Sequence, residues 1–299
     1  MKSKRQDIFL HAVLILFAGV TLLPFVLVLN NSLRGNYEIY HHFFALPHNL
    51  IEIPRTAYLR LTGQPSSSTI SSLLMETTKG YRYAWSIFRP FMLNALITSG
   101  ASALGVILFG SLSAYVFSRY RFPGHRVLFL VVLSFMMIPG VLTLVPSFLL
   151  VKRLHLINSY WALILPYVAG GQILAIFLFK SFFDALPQEL FESARLDGAN
   201  HLQQYWHLVL PLSKQIIAVV AIVNVLGTWN NFLWPQVVNP DTTYAVVSTG
   251  LFLMSETQAN SDRSVMFAAY VISALPLLIL FVYATKPFMQ GITSGAFKA

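Results

Sequence analysis

An all-α membrane fold with six spans follows from three observations on this 299-residue chain. Only 10% of its residues are charged, 56% are hydrophobic, and the mean hydropathy is +0.64. Soluble globular chains carry about a quarter charged residues, so this chain has too little polar surface for a water-exposed body. Six continuously apolar runs, at 8–29, 91–118, 127–151, 159–183, 215–235 and 265–285, each reach the roughly 20 residues that cross a bilayer as a helix. None alternates polar and apolar residues as barrel strands do.

The first run follows Met1-Lys-Ser-Lys-Arg5. It is too long for the apolar segment of a signal peptide and has no small-x-small cleavage site near its end, which predicts a retained helix. Six spans place both termini on one side. The connection between the second and third spans carries Arg119, Arg121 and Arg126, and the start carries Lys2, Lys4 and Arg5. The opposite side carries Arg34, Arg55, Arg60, Lys79, Arg82 and Arg89 in one long loop, and long loops translocate with little regard for charge. Both termini are therefore expected in the cytoplasm, with Lys152 and Arg153 as a mild exception.

One membrane domain, 1–299, is expected, with an outside loop at about 33–89. Pro47, Pro54, Gly63-Gln-Pro65 and Ser66-Ser-Ser-Thr69 predict a loop made mostly of turns with one short helix. Pro139-Gly140 and Pro146 predict a kink in the third span, and Pro24, Pro166 and Pro276 fall in others. Ser99, Ser102, Ala103, Gly105 and Gly110 give the second span a small-residue face suited to close helix contact. Asn94 is expected near that helix's start.

Composition also excludes function classes. None of the eleven carboxylates lies inside a predicted span. Ion-coupled carriers and channels need ionisable groups there, although backbone carbonyls at broken helices could still bind Na⁺. An ion-coupled secondary transporter of a small polar solute is the alternative this argues against. No G-x-x-x-x-G-K-[ST] loop occurs, so the chain cannot cradle ATP itself. With zero cysteines there is no thiolate metal site. His41, His42 and His48 lack a fixed ligand geometry, and His201 and His207 fall on opposite faces of a helix; no metal site is expected. No nucleophile–base pair is apparent, and the basic residues are dispersed, which excludes an intrinsic enzyme and a nucleic-acid binder. The net charge of +9 fits anionic lipid at the cytoplasmic surface.

If such a chain transports actively, the energy must enter through contact with another protein. Asp184, Glu189, Glu192 and Asp197 place four of the eleven carboxylates in one hydrophilic stretch, about 184–211. The stretch reads as two short helices around a turn. Pro187 suits a helix start, Glu189 favours the positive helix end, Glu192 and Arg195 stand at pairing distance, and Gly198 supplies a terminating positive φ. Ser193 and Ala194 keep one face small. The second helix is expected from Ala199 to about Val209.

Glu192-Ser-Ala-Arg-Leu-Asp-Gly-Ala199, followed by Trp206-His-Leu-Val-Leu-Pro211, resembles the E-A-A-x-x-x-G loop of ABC importer permeases, with Ser193 where that family usually has Ala. Ala114-Tyr-Val-Phe-Ser-Arg-Tyr-Arg-Phe-Pro-Gly124, Met137-Ile-Pro139, Asn158-Ser-Tyr-Trp161, Trp229-Asn-Asn-Phe-Leu-Trp-Pro235 and the tail Gln290–Lys298 extend the likeness. Together they resemble the second permease of maltose-transporter-like carbohydrate-uptake systems, over about 8–32 and 91–299. The 36–89 loop departs from the pattern.

The resemblance implies a full importer: a second homologous permease, two ATPase subunits that hold ATP and Mg, and an extracytoplasmic solute-binding protein, delivering an oligosaccharide across a bacterial inner membrane. This chain would bind no cofactor itself. Glu189, Glu192, Ser193, Ala194, Asp197, Gly198 and Ala199 would form the ATPase-coupling loop, with Glu192 meeting a basic residue in a cleft of the ATPase. Asn224, Trp229, Asn230 and Asn231 are candidates for the substrate path, because sugar sites combine aromatic faces with amide hydrogen bonds. The competing reading of Asn224 is an amide bonded to a neighbouring helix.

Overall fold

The computed structural model describes residues 4–62, 69–258 and 262–296. Among these no strand occurs. The helices are α1 (Lys4–Ser32), α2 (Asn36–His41), α3 (His48–Leu61), α4 (Ile70–Thr77), α5 (Lys79–Arg119), α6 (His125–Ser134), α7 (Gly140–Arg153), α8 (Trp161–Asp184), α9 (Gln188–Leu196), α10 (His201–Gln204), α11 (Leu210–Leu212), α12 (Lys214–Trp229), α13 (Leu233–Val238), α14 (Val247–Gln258) and α15 (Arg263–Ala296). Among the described residues, four helices are long and apolar enough to cross a membrane, and up to six spans result if each of two bent helix pairs counts as one. The chain divides into two compact units, 1–89 with 251–275 and 90–250 with 276–299.

In the first unit, none of the apolar window of α1 is buried within the chain, so Phe9, Ile15, Phe17 and Phe25 present their side chains outward. The following segment turns on Arg34, whose side chain is 1% exposed. Its Nη1 donates to Asn31 Oδ1 at 3.0 Å and to the Phe43 carbonyl at 2.9 Å, and its Nη2 donates to the carbonyls of Glu38 at 3.1 Å and His42 at 2.7 Å. Nε pairs with Glu38 Oε2 at 3.3 Å. A planar guanidinium satisfies all five acceptors in one plane-fork arrangement that an ammonium cannot reproduce. The short helix α2 is also fastened to the start of α15: Asn36 Oδ1 accepts from the Arg263 N–H at 3.0 Å, and the Arg263 guanidinium lies 4.3 Å over the Tyr40 ring.

The region expected as a turn-rich loop is instead largely helical, through α2, α3, α4 and the first turns of α5. Pro54 lies inside α3, and α4 buries Leu73 and Thr77. Of the residues that predicted turns, those at 63–68 lie outside the described residues, whereas Pro47 stands just before α3.

In the second unit, α5, α8 and α12 carry the packing. A Cβ added to Gly105 would stand 2.6 Å from Val168 Cγ2, and one on Gly110 would stand 2.8 Å from the Ala175 Cβ. The small-residue face of α5 thus lets α8 approach closer than any larger side chain allows. Thr228 of α12 donates to Ser99 Oγ at 3.0 Å. The third span breaks at Ile138-Pro139, where its two halves meet at 99°. Ile138 is extended, with φ −81° and ψ 115°, as the residue before a proline prefers.

The fifth expected span ends earlier than its hydropathy: α12 stops at Trp229, and α13 resumes at Leu233. α13 is fastened to the head of α8, where Trp234 Nε1 donates to the Ala162 carbonyl at 3.0 Å and Asn239 exchanges two 3.2 Å bonds with the Ser159 backbone. Asn94 lies well inside α5 and not near its start. Its Nδ2 donates to the carbonyls of Thr243 and Ala245, and its Oδ1 accepts from the Tyr160 hydroxyl at 2.7 Å.

Replacing Arg34 with leucine removes one donor from each of five acceptors at once, and leaves Asn31 Oδ1 and the Phe43 carbonyl without the partner they have here. Hydrogen exchange of backbone amides 36–46 is expected to lose ~3 kcal/mol of protection in Arg34→Leu, and Arg34→Lys is expected to recover little of it. Unchanged exchange in both variants would contradict the role given to the guanidinium.

Candidate functional site

The acidic stretch forms two helices joined by a tight turn. α9 runs from Gln188 to Leu196 after Pro187. It ends in a Schellman motif: Ala199 N–H donates to the Ala194 carbonyl at 2.9 Å and Gly198 N–H to the Arg195 carbonyl at 3.0 Å. Gly198 has φ +83°, a conformation in which a Cβ costs energy. The next helix starts at once. Asn200 Oδ1 accepts from the Gln203 N–H at 2.9 Å while Gln203 Oε1 accepts from the Asn200 N–H at 2.8 Å, a reciprocal capping box. From His201 the chain stays helical to Leu212, with a π-helical turn at Tyr205–Val209 that carries the expected second helix past its predicted end.

One residue anchors α9. Phe191 is 1% exposed and sits in a cluster with Tyr115 of α5, Phe179 and Phe183 of α8, and Tyr205 and Val209. The Arg119 guanidinium lies 3.7 Å over the Phe191 ring, and it donates to the carbonyls of Phe183 and Leu186 and to Gln188 Oε1. A cation at the end of α8 is favourable against that helix's dipole and stacks on an aromatic face in the same stroke. Tyr205 and Ser111 share a hydroxyl bond of 2.7 Å, and the Tyr115 hydroxyl donates to the His201 carbonyl at 3.2 Å. The end of α5 therefore holds the end of α8, α9 and α10 together.

The opposite face of α9 is open. Glu189, Glu192, Ser193 and Asp197 are exposed, and none of the described residues forms an ion pair with these three carboxylates. The expected Glu192–Arg195 pair is not made. Asp184 differs from them: it pairs with Lys180 at 2.6 Å and accepts from Ser118 at 2.7 Å, so it closes α8 and does not belong to the open face. Leu196 is 90% exposed beside the carboxylates. The outer face of α9 thus presents an acidic rim around an uncovered leucine, on a helix pinned from behind.

The four substrate-path candidates separate. Asn224 and Asn231 line a cavity of about 270 Å³ between α8 and α12. Trp229 is buried, and Asn230 is exposed with its Nδ2 bonded back to the Leu226 carbonyl at 2.9 Å. The Asn224 Oδ1 atom is buried with no partner among the described residues, so that oxygen makes no bond to a neighbouring helix there. Tyr167, which hydropathy alone conceals inside an apolar span, lines the same cavity and has a buried, unpaired hydroxyl. The sequence expectation passes over Asn200 and Gln203, whose N-x-x-Q spacing is a local capping signal, whereas Arg119 carries no local signal for its bonds because its partners lie more than sixty positions away.

Gly198→Ala is expected to cost the turn about 1 kcal/mol through its positive φ, and Asn200→Ala about 1 kcal/mol through the lost cap. Both should lower the thermal midpoint of the purified subunit and raise hydrogen exchange at 197–204. A neutral response to both would mean that the turn is not held as described.

The family described as binding-protein-dependent transport system inner membrane component matches residues 106–293. The chain is 29% identical over 291 residues to the diacetylchitobiose uptake system permease protein NgcG of Streptomyces coelicolor, covering 96% of this chain and 88% of that protein. It is 32% identical to the arabinooligosaccharides transport system permease protein AraQ of Halalkalibacterium halodurans, covering 82% and 86%. Its fold matches a chain of a bacterial ABC transporter involved in the import of the acidic polysaccharide alginate, with TM-score 0.74, 20% identity and coverage of 96% and 99%. The span pattern, the break at Pro139 and the pinned acidic helix thus find their place: the chain belongs to the binding-protein-dependent inner membrane components and is a permease subunit of an ABC importer.

Proposed function

We propose that this permease moves oligosaccharides, together with a second homologous permease, two ATPase subunits carrying ATP and Mg, and an extracytoplasmic solute-binding protein. The oligosaccharide class is supported by the substrates for which relatives matching most of this chain are named. In this reading both termini and α9 face the cytosol, and α9 is the element through which the ATPase moves the bundle. Glu189, Glu192, Ser193, Ala194, Asp197, Gly198 and Ala199 make the contact, with Glu192 opposite a basic side chain of the ATPase.

The observation that carries the reading is the two-sidedness of α9. Its inner face is locked by Phe191 and Arg119, and its outer face offers three carboxylates with no partner in the described chain. A lever needs both properties, a rigid root and a graspable surface. An ordinary solvated loop needs neither. ATP-driven closure of the ATPase pair would displace α9, and the Phe191 cluster would carry that displacement into α5, α8 and the helix of Tyr205 as one body.

Charge reversal tests the assignment. Glu192→Lys is expected to weaken ATPase docking by ~3 kcal/mol, as breaking a desolvated charge pair does. The ATPase should co-purify in much reduced amount, while the two permeases stay paired. Normal assembly and normal sugar-stimulated ATP hydrolysis in the variant would remove Glu192 from the contact.

A further inference from the structure

The cavity between α8 and α12 has a chemistry of its own. Its wall is mostly apolar, with Tyr167, Asn224, Thr228 and Asn231 as the polar groups and Gly170 and Gly227 opening its floor. Two polar atoms in this region, the Tyr167 hydroxyl and Asn224 Oδ1, are buried without a hydrogen-bond partner among the described residues. Buried polar atoms are almost always paired, and leaving one unpaired costs more than the bond would have contributed. Two of them at one cavity therefore point to an occupant that completes them. Thr228 and Asn231 are already engaged, with Ser99 and with the Trp234 N–H respectively.

A second cavity, of about 690 Å³, shares Pro166, Tyr167, Gly170 and Asn231 with the first, and the bent helix α7 closes its far side. Tyr167 thus stands where the two spaces adjoin. A mostly apolar concavity with a few convergent polar groups is the ordinary form of a small-molecule site. Neither cavity has a Lys, Arg, His, Asp or Glu among its lining residues. A carboxylate brought here would lose its hydration with no cation to replace it. A sugar hydroxyl would not: it donates to Asn224 Oδ1 and accepts from, or donates to, the Tyr167 hydroxyl.

We propose that Tyr167 and Asn224 form a subsite on this subunit for one neutral glycosyl unit, which makes the permease selective for uncharged over uronate-containing oligosaccharides. The proposal rests on the importer reading and names the substrate class of its path. Unlike the coupling loop, the subsite contacts the sugar directly, and it stands apart from any site on the second permease or the binding protein.

The test uses the assembled importer in detergent without its binding protein, so that the binding protein's own selectivity does not enter. Radiolabelled maltotriose, chitotriose, arabinotriose and trigalacturonate serve as probes in equilibrium dialysis. At least one neutral trisaccharide should be retained, and trigalacturonate should not displace it. Tyr167→Phe and Asn224→Leu, both close in shape to the native residues, should each weaken retention by about two- to tenfold, the loss of one neutral hydrogen bond. Gly170→Leu, whose side chain enters open space, should abolish it. In proteoliposomes with the binding protein restored, Tyr167→Phe should move fewer sugars per ATP hydrolysed.

Retention unaltered in all three variants, or trigalacturonate bound as tightly as the neutral probes, would overturn the subsite. So would loss of permease pairing in both Tyr167→Phe and Asn224→Leu, because the two atoms would then be completed by the second permease. Failure of the importer reading is distinguishable: the wild-type complex would then take up no probe on ATP even with its binding protein.

Discussion

The burial of Phe191 makes a polar nine-residue helix part of the apolar body beside it. Phe191 is the buried residue of α9. With it, five elements of the second unit share one cluster, from Val106 of α5 to Val220 of α12. Close-packed interiors transmit displacement and do not absorb it. Arg119 strengthens the arrangement from the side, because one guanidinium covers the aromatic face and takes up carbonyls where α8 ends. The open carboxylates then ride on a rigid mount.

In the proposed reading, such a mount suits a chain whose six apolar runs hold no carboxylate. A transporter driven by ions must bind them where the barrier is. A transporter driven by a separate ATPase needs only a grip and a stiff connection. The bilayer-facing parts are correspondingly plain, and α1 buries none of its apolar window within the chain. Polar groups inside the second unit are mostly spent on fastening helices: Asn94 ties α5 to the segment after α13, Thr228 ties α12 to α5, and Trp234 ties α13 to α8. Tyr167 and Asn224 depart from that economy, as do Gln172 and Gln204, each with a buried side-chain oxygen that has no partner among the described residues.

Much of this was legible in the residues. Length and hydropathy place the long helices because a bilayer demands about 20 apolar residues whatever their neighbours are. The break at Pro139 and the turn at Gly198 follow from backbone sterics, which act locally. The small residues of α5 do meet α8. Two expectations failed for physical reasons. The prolines, glycine and serines of 33–89 predict turns, yet Pro54 is accommodated within α3 and α4 buries Leu73 and Thr77. Glu192 and Arg195 have pairing distance but gain little from it in water, and both remain open. Asn94 and Arg119 were opaque because their partners come from distant sequence, which a local pattern does not encode.

The chain contains no cysteine, which permits a direct measurement on α9. A single Leu196→Cys variant in the assembled importer can be probed with a membrane-impermeant maleimide on sealed vesicles of each orientation. The account predicts labelling only from the cytosolic face, and protection of the thiol when the ATPase subunits are bound. Labelling from the exterior, or equal reactivity with and without the ATPase, would contradict it.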